Sequence, residues 1–161
     1  PVYPVPNEYS WGDTLMTPMT GFGGVDGSGM ETATPTNANA NANFSGNISG
    51  PVRVGIFATT TSGRRDAGAG YYGAMNLADN VTELVVATGD ATGRAFTNEP
   101  GDGNEWTPAS TWPSNGQGLG LRGGSWQDSS ASSQTSGRFF ALWNFLSRQP
   151  ANGGRGVRSA P

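Results

Sequence analysis

Residues 119–126 read Leu-Gly-Leu-Arg-Gly-Gly-Ser-Trp, and residues 81–87 read Val-Thr-Glu-Leu-Val-Val-Ala. The second run is short, apolar and rich in β-branched side chains, which predicts a buried strand. The first run also predicts a strand, in which the glycine pair marks a kink or a close approach of another backbone. These two runs predict a fold built from short strands and loops, with little helix.

Three further segments complete the predicted elements. Val52–Thr59 predicts a strand with alternate residues on one face. Phe139–Leu146 is rich in aromatic residues and predicts either a strand or a short helical turn, and Gly154–Ser159 predicts the closing strand. The fold class that follows is α+β, mostly strand and loop, with low helix content and long ordered loops.

The composition bounds the architecture. The chain has 161 residues, which suits one domain, and it contains 26 Gly, 11 Pro and 34% hydrophobic residues. Such a sequence cannot sustain the apolar periodicity of a helical bundle or coiled coil. From Leu15 to Gly50 it predicts a long loop, ordered or partly mobile, in which the alternating Asn/Ala tract Asn37–Asn43 lies at the surface.

The missing residue types exclude several kinds of chemistry. The chain has no His, no Cys and no Lys, since its nine basic residues are all Arg. Thiolate and Ser–His catalysis and zinc or copper thiolate sites are therefore excluded. A net charge of −3 without a basic stripe disfavours nucleic acid, and no apolar run approaches the length of a membrane span. The glycines at Gly24–Gly29 do not join a strand to a helix, so a nucleotide site is not expected.

The N-terminal residues differ in composition from the rest. Pro1–Pro6 alternates Pro with Val and Tyr and predicts an extended arm. We therefore divide the chain into residues 1–14, an extended N-terminal arm or leading segment, and residues 15–161, the domain. A second interpretation is a terminus pinned by Tyr9 and Trp11. The acidic, Lys-free composition favours an extracellular or cell-surface location.

Several short motifs follow one another in a recognisable order. They are Glu8-Tyr-Ser-Trp-Gly12, Ala42-Asn-Phe44, Gly73-Ala-Met-Asn-Leu-Ala-Asp-Asn-Val-Thr-Glu-Leu84, Arg122-Gly123-Gly124-Ser125-Trp126 and Gly156-Val-Arg158. In this order, over residues 8–158, the chain resembles the C-terminal part of the formylglycine-generating-enzyme (sulfatase-modifying factor) domain. The resemblance implies a variant of the C-type lectin fold.

The chain also departs from this family. The family enzymes use a pair of cysteines to bind copper and activate oxygen, and this chain has no Cys, so we expect no such activity. The N-terminal half of the family domain has no counterpart here. We expect either a fragment of a longer protein, which we favour because half a core should not fold stably alone, or a missing half supplied by another segment.

The resemblance implies a calcium site at Asn80, Val81 and Glu83. In the family these positions supply side-chain and carbonyl oxygens, which are the ligands that Ca²⁺ prefers. The alternative is that Asn80 caps a turn and Glu83 pairs with an arginine. Neither copper, zinc nor a nucleotide is expected as a cofactor.

Other candidate residues divide into a structural set and a binding set. Arg122 and Trp126 are predicted to be structural, since an arginine ahead of a glycine pair can bind carbonyls bidentately. Arg138, Arg155 and Arg158 are predicted to pair with acidic residues. Four aromatic residues form either core or an exposed ligand or interface surface, the C-terminal aromatic surface: Phe139, Phe140, Trp143 and Phe145.

Two functional hypotheses follow. The first is a non-catalytic extracellular structural or adhesive protein that self-assembles into filaments through the N-terminal arm and the C-terminal aromatic surface. The second is a monomeric glycan- or protein-binding module that uses the Gln127–Ala151 surface. A degenerate oxygenase is disfavoured, because the iron-dependent relatives need His ligands.

Overall fold

The computed structural model describes residues 5–35, 40–97, 113, 117–142 and 149–154. Within these ranges the chain is mostly sheet and loop, and its helical structure is one short α-helix and one 3-10 turn. The elements in chain order are β1 Gly21–Gly23, β2 Thr32–Thr34, β3 Thr82–Val86, α1 Ala91–Arg94, β4 Leu119–Arg122, the 3-10 turn Ser130–Ser133 and β5 Asn152–Gly153. The predicted class, strands and loops with low helix content, is confirmed.

Strand β3 is the centre of a three-stranded sheet with the order β4-β3-β5. Its neighbour β4 is antiparallel, with Glu83 opposite Arg122, and β5 is parallel to it. The β-branched run at 81–87 and the run at 119–126 thus form strands as predicted. The expected full burial of β3 is wrong, since Leu84 is 48% exposed.

The third strand of this sheet, β5, ends at Gly153, directly before the predicted closing strand Gly154–Ser159. Residues 155–159 lie outside the described ranges, so the strand predicted there stays a prediction. The side chain of Thr82 helps to fix how β3 pairs with β5. Thr82 Oγ1 lies 3.1 Å from Ala151 O and 2.7 Å from Asn152 Oδ1, and the Thr82 N–H donates to Ala151 O at 2.9 Å.

Strands β1 and β2 form an antiparallel hairpin that the sequence did not predict. Phe22 lies opposite Ala33, and the connection contains Gly24, Gly27 and Gly29, all with positive φ. Glycine adopts this backbone conformation without steric strain, so the residues that predicted a plain loop are those that allow the hairpin.

The predicted strand Val52–Thr59 is wrong. Gly55 has a φ of +78°, and hydrogen bonds from Ile56 N to Arg53 O and from Ala58 N to Gly55 O fold this segment into turns. As a consequence, buried and exposed side chains do not alternate along this segment, since Ile56 and the adjacent Phe57 are both 5% exposed. The left-handed glycine in the middle of the run interrupts the extended backbone.

The described end of the Asn/Ala tract, residues 40–43, is buried, so the predicted surface position is wrong there. Ala42 has no exposed surface, and its carbonyl accepts from Met19 N at 2.9 Å. The Asn41 side chain accepts from Thr17 N at 2.8 Å. Alanine lets the two backbones approach closely, while asparagine supplies hydrogen bonds that a regular strand partner would otherwise give.

Among the residues that the structure describes, the apolar interior consists of two small clusters. The first contains Tyr9, Trp11, Ala42, Phe44 and Ala78, and the second contains Met19, Ala33, Ala40, Ile56 and Phe57. The Tyr9 and Trp11 rings stack with their centroids 5.1 Å apart. These residues belong to the folded core, as the second interpretation of the terminus proposes, whereas Val5 and Pro6 before them are exposed.

Candidate functional site

The residues predicted to bind calcium lie at the start of β3, inside a buried network of amide side chains. Asn80 is 3% exposed and has a φ of +73°. Its Oδ1 accepts from Val52 N at 2.7 Å and from Asn43 Nδ2 at 3.1 Å, while its Nδ2 donates to Val52 O at 2.9 Å. The Asn80 side chain therefore joins the chain at residue 43 to the chain at residue 52.

Asp79 and Asn76 extend this network. Asp79 is 1% exposed, and its Oδ2 accepts from Asn43 N at 2.6 Å and from Asn76 Nδ2 at 3.1 Å. The Asn76 Oδ1 accepts from Gly55 N at 3.0 Å. Buried polar groups that are hydrogen-bonded to one another give a rigid interior. Here they hold three loops together.

A calcium ligand needs an oxygen that protein donors do not already occupy. Because Asn80 Oδ1 accepts two hydrogen bonds, this side chain fits a structural role and, as placed, does not fit a calcium ligand. Glu83 lies directly opposite Arg122 in the β3–β4 pair, but the Arg122 guanidinium binds the carbonyls of Thr135 and Gly137. The pairing of Glu83 with an arginine stays a prediction. Among the described residues, no three acidic side chains cluster to hold a metal ion. The calcium site stays a prediction.

The motif Arg122–Trp126 ends β4 and turns towards the amide network. Gly123 has a φ of +73°, and a Cβ atom there would lie 2.8 Å from Leu77 O, so the position requires glycine. The Trp126 N–H donates to Asn80 O at 2.9 Å. The glycine pair thus marks a close backbone approach, in agreement with the sequence prediction.

Two arginines bind the same pair of carbonyls behind this motif. Arg122 donates to Thr135 O at 2.7 Å and to Gly137 O, and Arg138 donates to both at 3.0 and 2.9 Å. Burial lowers the pKa of Arg122, and the positive charge of Arg138 lowers it further. Arg138 was predicted to pair with an acidic residue, but its recorded bonds go to carbonyls. Arg155 and Arg158 lie outside the described ranges.

The C-terminal aromatic surface begins as hydrogen-bonded turns over residues 139–142. Leu121 N donates to Phe140 O at 2.8 Å, so this segment runs along the outer edge of β4. Phe139 is 80% exposed and Leu142 is 60% exposed, while Phe140 is half-buried with its ring 4.8 Å from that of Phe139. Trp143 and Phe145 lie outside the described ranges.

Two hollows border these turns. One has a volume of about 490 Å³, and its lining includes Val85, Val86, Arg122, Arg138 and Leu142. The other has a volume of about 160 Å³, and its lining includes Gln127, Asp128, Phe140, Gln149 and Asn152. The second hollow belongs to the Gln127–Ala151 surface that the sequence singled out for ligand binding.

A further cleft, which the sequence did not predict, lies between the β1–β2 hairpin and residues 48–56. Its volume is about 470 Å³, and its apolar lining is Phe22, Ile48, Val52 and Ile56. A hollow of about 290 Å³ shares part of this lining, namely Gly29, Glu31, Arg53 and Ile56. The sequence signal for the cleft, Asp26-Gly-Ser-Gly29, indicates by itself no more than a surface turn.

The ion pair between Glu31 and Arg53 lines both the cleft of about 470 Å³ and the neighbouring hollow of about 290 Å³. Glu31 is 7% exposed, with its Oε2 3.0 Å from Arg53 Nε, and Arg53 Nη2 donates to Glu31 O at 2.9 Å. Hydrogen bonds from its own N–H and from that of Gly29 hold the pKa of Glu31 below its usual 4.5, and the Arg53 bond lowers it further. This pair ties the hairpin to the loop across the cleft.

Three other carboxylates cap local backbone. Asp13 accepts from Leu15 N at 3.0 Å, Asp90 from Thr92 N at 2.7 Å, and Asp128 from Ser125 N at 2.9 Å. A carboxylate committed to a backbone N–H is typical of turns and helix caps. These groups have structural roles.

Comparisons with models of known protein families, with curated protein sequences and with solved structures returned no match. In the part of the chain that the structure describes, no helix is both long enough and apolar enough to cross a membrane.

Proposed function

We propose that this chain is a non-catalytic extracellular structural or adhesive protein whose copies associate with one another. The absence of His, Cys and Lys from the sequence supports the non-catalytic part. The hydrogen bonds of Asp79, Glu31 and Asp128 support it as well, because these carboxylates stabilise loops and turns.

The exposed part of the C-terminal aromatic surface is the observation that carries self-association. Phe139 and Leu142 are mostly exposed on a segment that is hydrogen-bonded to β4, and Leu84 on β3 is half-exposed. Burying a large apolar side chain fully stabilises a complex by about 1.5–3 kcal/mol. Arg122 and Arg138 line a hollow together with Leu142, and Phe139 follows Arg138 in the chain. Aromatic residues and arginine are enriched at protein interfaces.

Light scattering of the purified chain over a concentration series tests this proposal. We expect the mass to rise with concentration, and we expect the double variant Phe139→Ser/Leu142→Ser to shift the rise to higher concentration. Leu15→Ser is the matched control, since Leu15 is 54% exposed elsewhere on the chain. A monomer at every concentration, or equal effects of the two variants, would contradict the proposal.

We also propose that the fold is a variant of the C-type lectin fold of the formylglycine-generating-enzyme type. The motif at 73–84 and the motif at 122–126 contact each other through the bonds from Gly124 N to Ala78 O and from Trp126 N to Asn80 O. That contact supports a common structural unit for the two motifs. An experimental structure of the whole protein tests the assignment by its topology.

The second candidate function is a monomeric glycan- or protein-binding module. It is favoured by the hollow of about 160 Å³ on the Gln127–Ala151 surface, where Phe140 lies beside Gln127 and Asp128. An aromatic ring next to hydrogen-bonding groups suits a polar ligand. A glycan array and a partner pull-down with the monomer test it, and binding that survives Gln127→Ala would place the ligand elsewhere.

A further inference from the structure

The geometry points to the cleft between the β1–β2 hairpin and residues 48–56 as the docking site for the N-terminal arm, Pro1–Pro6, of a second copy of this chain. This inference rests on the self-association proposed above and names a second contact that contributes to it, besides the C-terminal aromatic surface. None of the residues that line the cleft belongs to that surface.

The shape and chemistry of the cleft suit an extended peptide. It adjoins a second hollow of about 290 Å³, and Gly29, Glu31, Arg53 and Ile56 line both. Phe22, which is 44% exposed, provides an aromatic wall, and the aliphatic side chains provide the opposite one. Glu31 and Arg53 form an ion pair, and Asp26 is the one other charged side chain of the lining, so the cleft has no excess of positive charge that would call for an acidic ligand.

The arm has matching chemistry. Its sequence, Pro-Val-Tyr-Pro-Val-Pro, carries no charged side chain and favours the polyproline conformation. In that conformation six residues span about 19 Å, and their carbonyls are free to accept hydrogen bonds. Proline-rich segments of this kind dock in aromatic-lined grooves at low entropic cost, because they are already extended. The guanidinium of Arg53, a side chain that is 39% exposed, is a suitable donor.

The place where the arm leaves the domain favours docking on a second copy. The N–H and Oγ1 of Thr135 each donate to Glu8 O at 2.9 Å, and Tyr9 is buried in the first apolar cluster. Val5 and Pro6 beyond this anchor are exposed. The cleft adjoins the second cluster, through Ile56. An arm anchored at one surface patch and bound at a different one makes a head-to-tail contact, which repeats into an open filament.

Two measurements test this inference on the whole chain and on a chain that begins at Asn7. The shortened chain keeps Tyr9 and Trp11, and its thermal melt verifies that it folds. Sedimentation velocity measures association, and fluorescence polarisation measures binding of a labelled Pro-Val-Tyr-Pro-Val-Pro peptide to the shortened chain. A scrambled peptide is the control.

Phe22→Thr should raise the peptide dissociation constant about tenfold or more. Tyr72→Thr, at a side chain 93% exposed and outside the cleft, should leave it unchanged.

The outcomes separate the inference from the function on which it rests. Association of the whole chain, its loss on shortening, and peptide binding that Phe22→Thr weakens would support both. Association that persists in the shortened chain, without peptide binding, would overturn the arm contact and leave self-association intact. A monomeric whole chain would overturn self-association; peptide binding in that case would show that the arm occupies the cleft of its own copy, and overturn docking on a second copy.

Discussion

The side chain of Asn43 donates hydrogen bonds to Gly50 O and Asn80 Oδ1 from a position with no exposed surface. Asn80 in turn binds both polar backbone groups of Val52. At the scale of single residues, these amide side chains connect loops that are not joined by strand pairing. Their effect depends on the amide group, because Asn43 donates both of its bonds from Nδ2 and Asn80 uses both its donor and its acceptor.

Asn43→Asp should destabilise the protein by about 3 kcal/mol, because it removes the donor and places a buried negative charge beside Asn80 Oδ1. Chemical denaturation monitored by tryptophan fluorescence measures the change. Asn7→Asp is the matched control at an exposed asparagine, with an expected change within about 0.5 kcal/mol. Equal stabilities of the two variants would contradict the structural role of Asn43.

Calcium titration distinguishes the two interpretations of Asn80, which are a calcium ligand and a side chain that caps a turn. Since its oxygen is occupied by Val52 N and Asn43 Nδ2, we expect no heat on titration with CaCl₂ and no change in melting temperature. Isothermal titration calorimetry and a thermal melt in EDTA measure these quantities. A melting temperature that rises with calcium, and an effect abolished by Glu83→Gln, would establish the calcium site instead.

Glu31 makes stability depend on pH. Its pKa is lower in the folded chain than its usual 4.5, so the ionised form stabilises the fold above that pH, and the stabilisation is lost as the pH falls through the folded pKa. Melting temperatures measured from neutral pH downwards should therefore fall less steeply for Glu31→Gln than for the natural chain. Part of the slope should remain, because a hydrogen bond from Leu15 N lowers the pKa of Asp13 too. Identical slopes would rule out this role for Glu31.

At the scale of elements, the turn after β4 is the feature on which the central sheet depends. Gly123 has a positive φ, and its Cα faces Leu77 O. The turn directs Trp126 towards Asn80, so it joins the sheet to the amide network. A residue with a side chain at 123 would disturb both.

Gly123→Ala should lower the free energy of unfolding by about 2 kcal/mol or more, from backbone strain and the contact with Leu77 O. Gly154→Ala is the control, because a Cβ atom there meets nothing within 4 Å. Thermal denaturation of both variants checks the expectation. A Gly123→Ala chain as stable as Gly154→Ala would show that the backbone at 123 is not constrained.

The sequence predicts β3 and β4 well because apolar, β-branched residues and a glycine pair determine them locally. It fails at Val52–Thr59, where Gly55 adopts a left-handed conformation that alternation cannot reveal. It misses the β1–β2 hairpin, whose short strands are mostly Gly and Thr. Propensity describes a segment alone, whereas these elements depend on contacts with distant residues.

The candidate sites also include features that the sequence predicts and features that it does not. The carbonyl binding of Arg122 was predictable from its place before a glycine pair, and the exposure of Phe139 was one of two alternatives. The cleft was not predictable. It forms because Glu31 and Arg53, 22 residues apart in the chain, form an ion pair.

At the scale of the whole molecule, the described residues form two small apolar clusters and a buried amide network rather than one large core. Such an interior leaves large apolar side chains at the surface, among them Phe139, Leu142 and Phe22. The proposed association of copies would cover part of this surface. Subunits joined head to tail would gain the burial that the isolated chain lacks.

Negative-stain electron microscopy of the purified chain at increasing concentration tests self-association most directly. The account predicts regular, unbranched filaments that grow longer with concentration, and it predicts their loss in the Phe139→Ser/Leu142→Ser variant while the thermal melt is unchanged. Dispersed single particles at every concentration would contradict it.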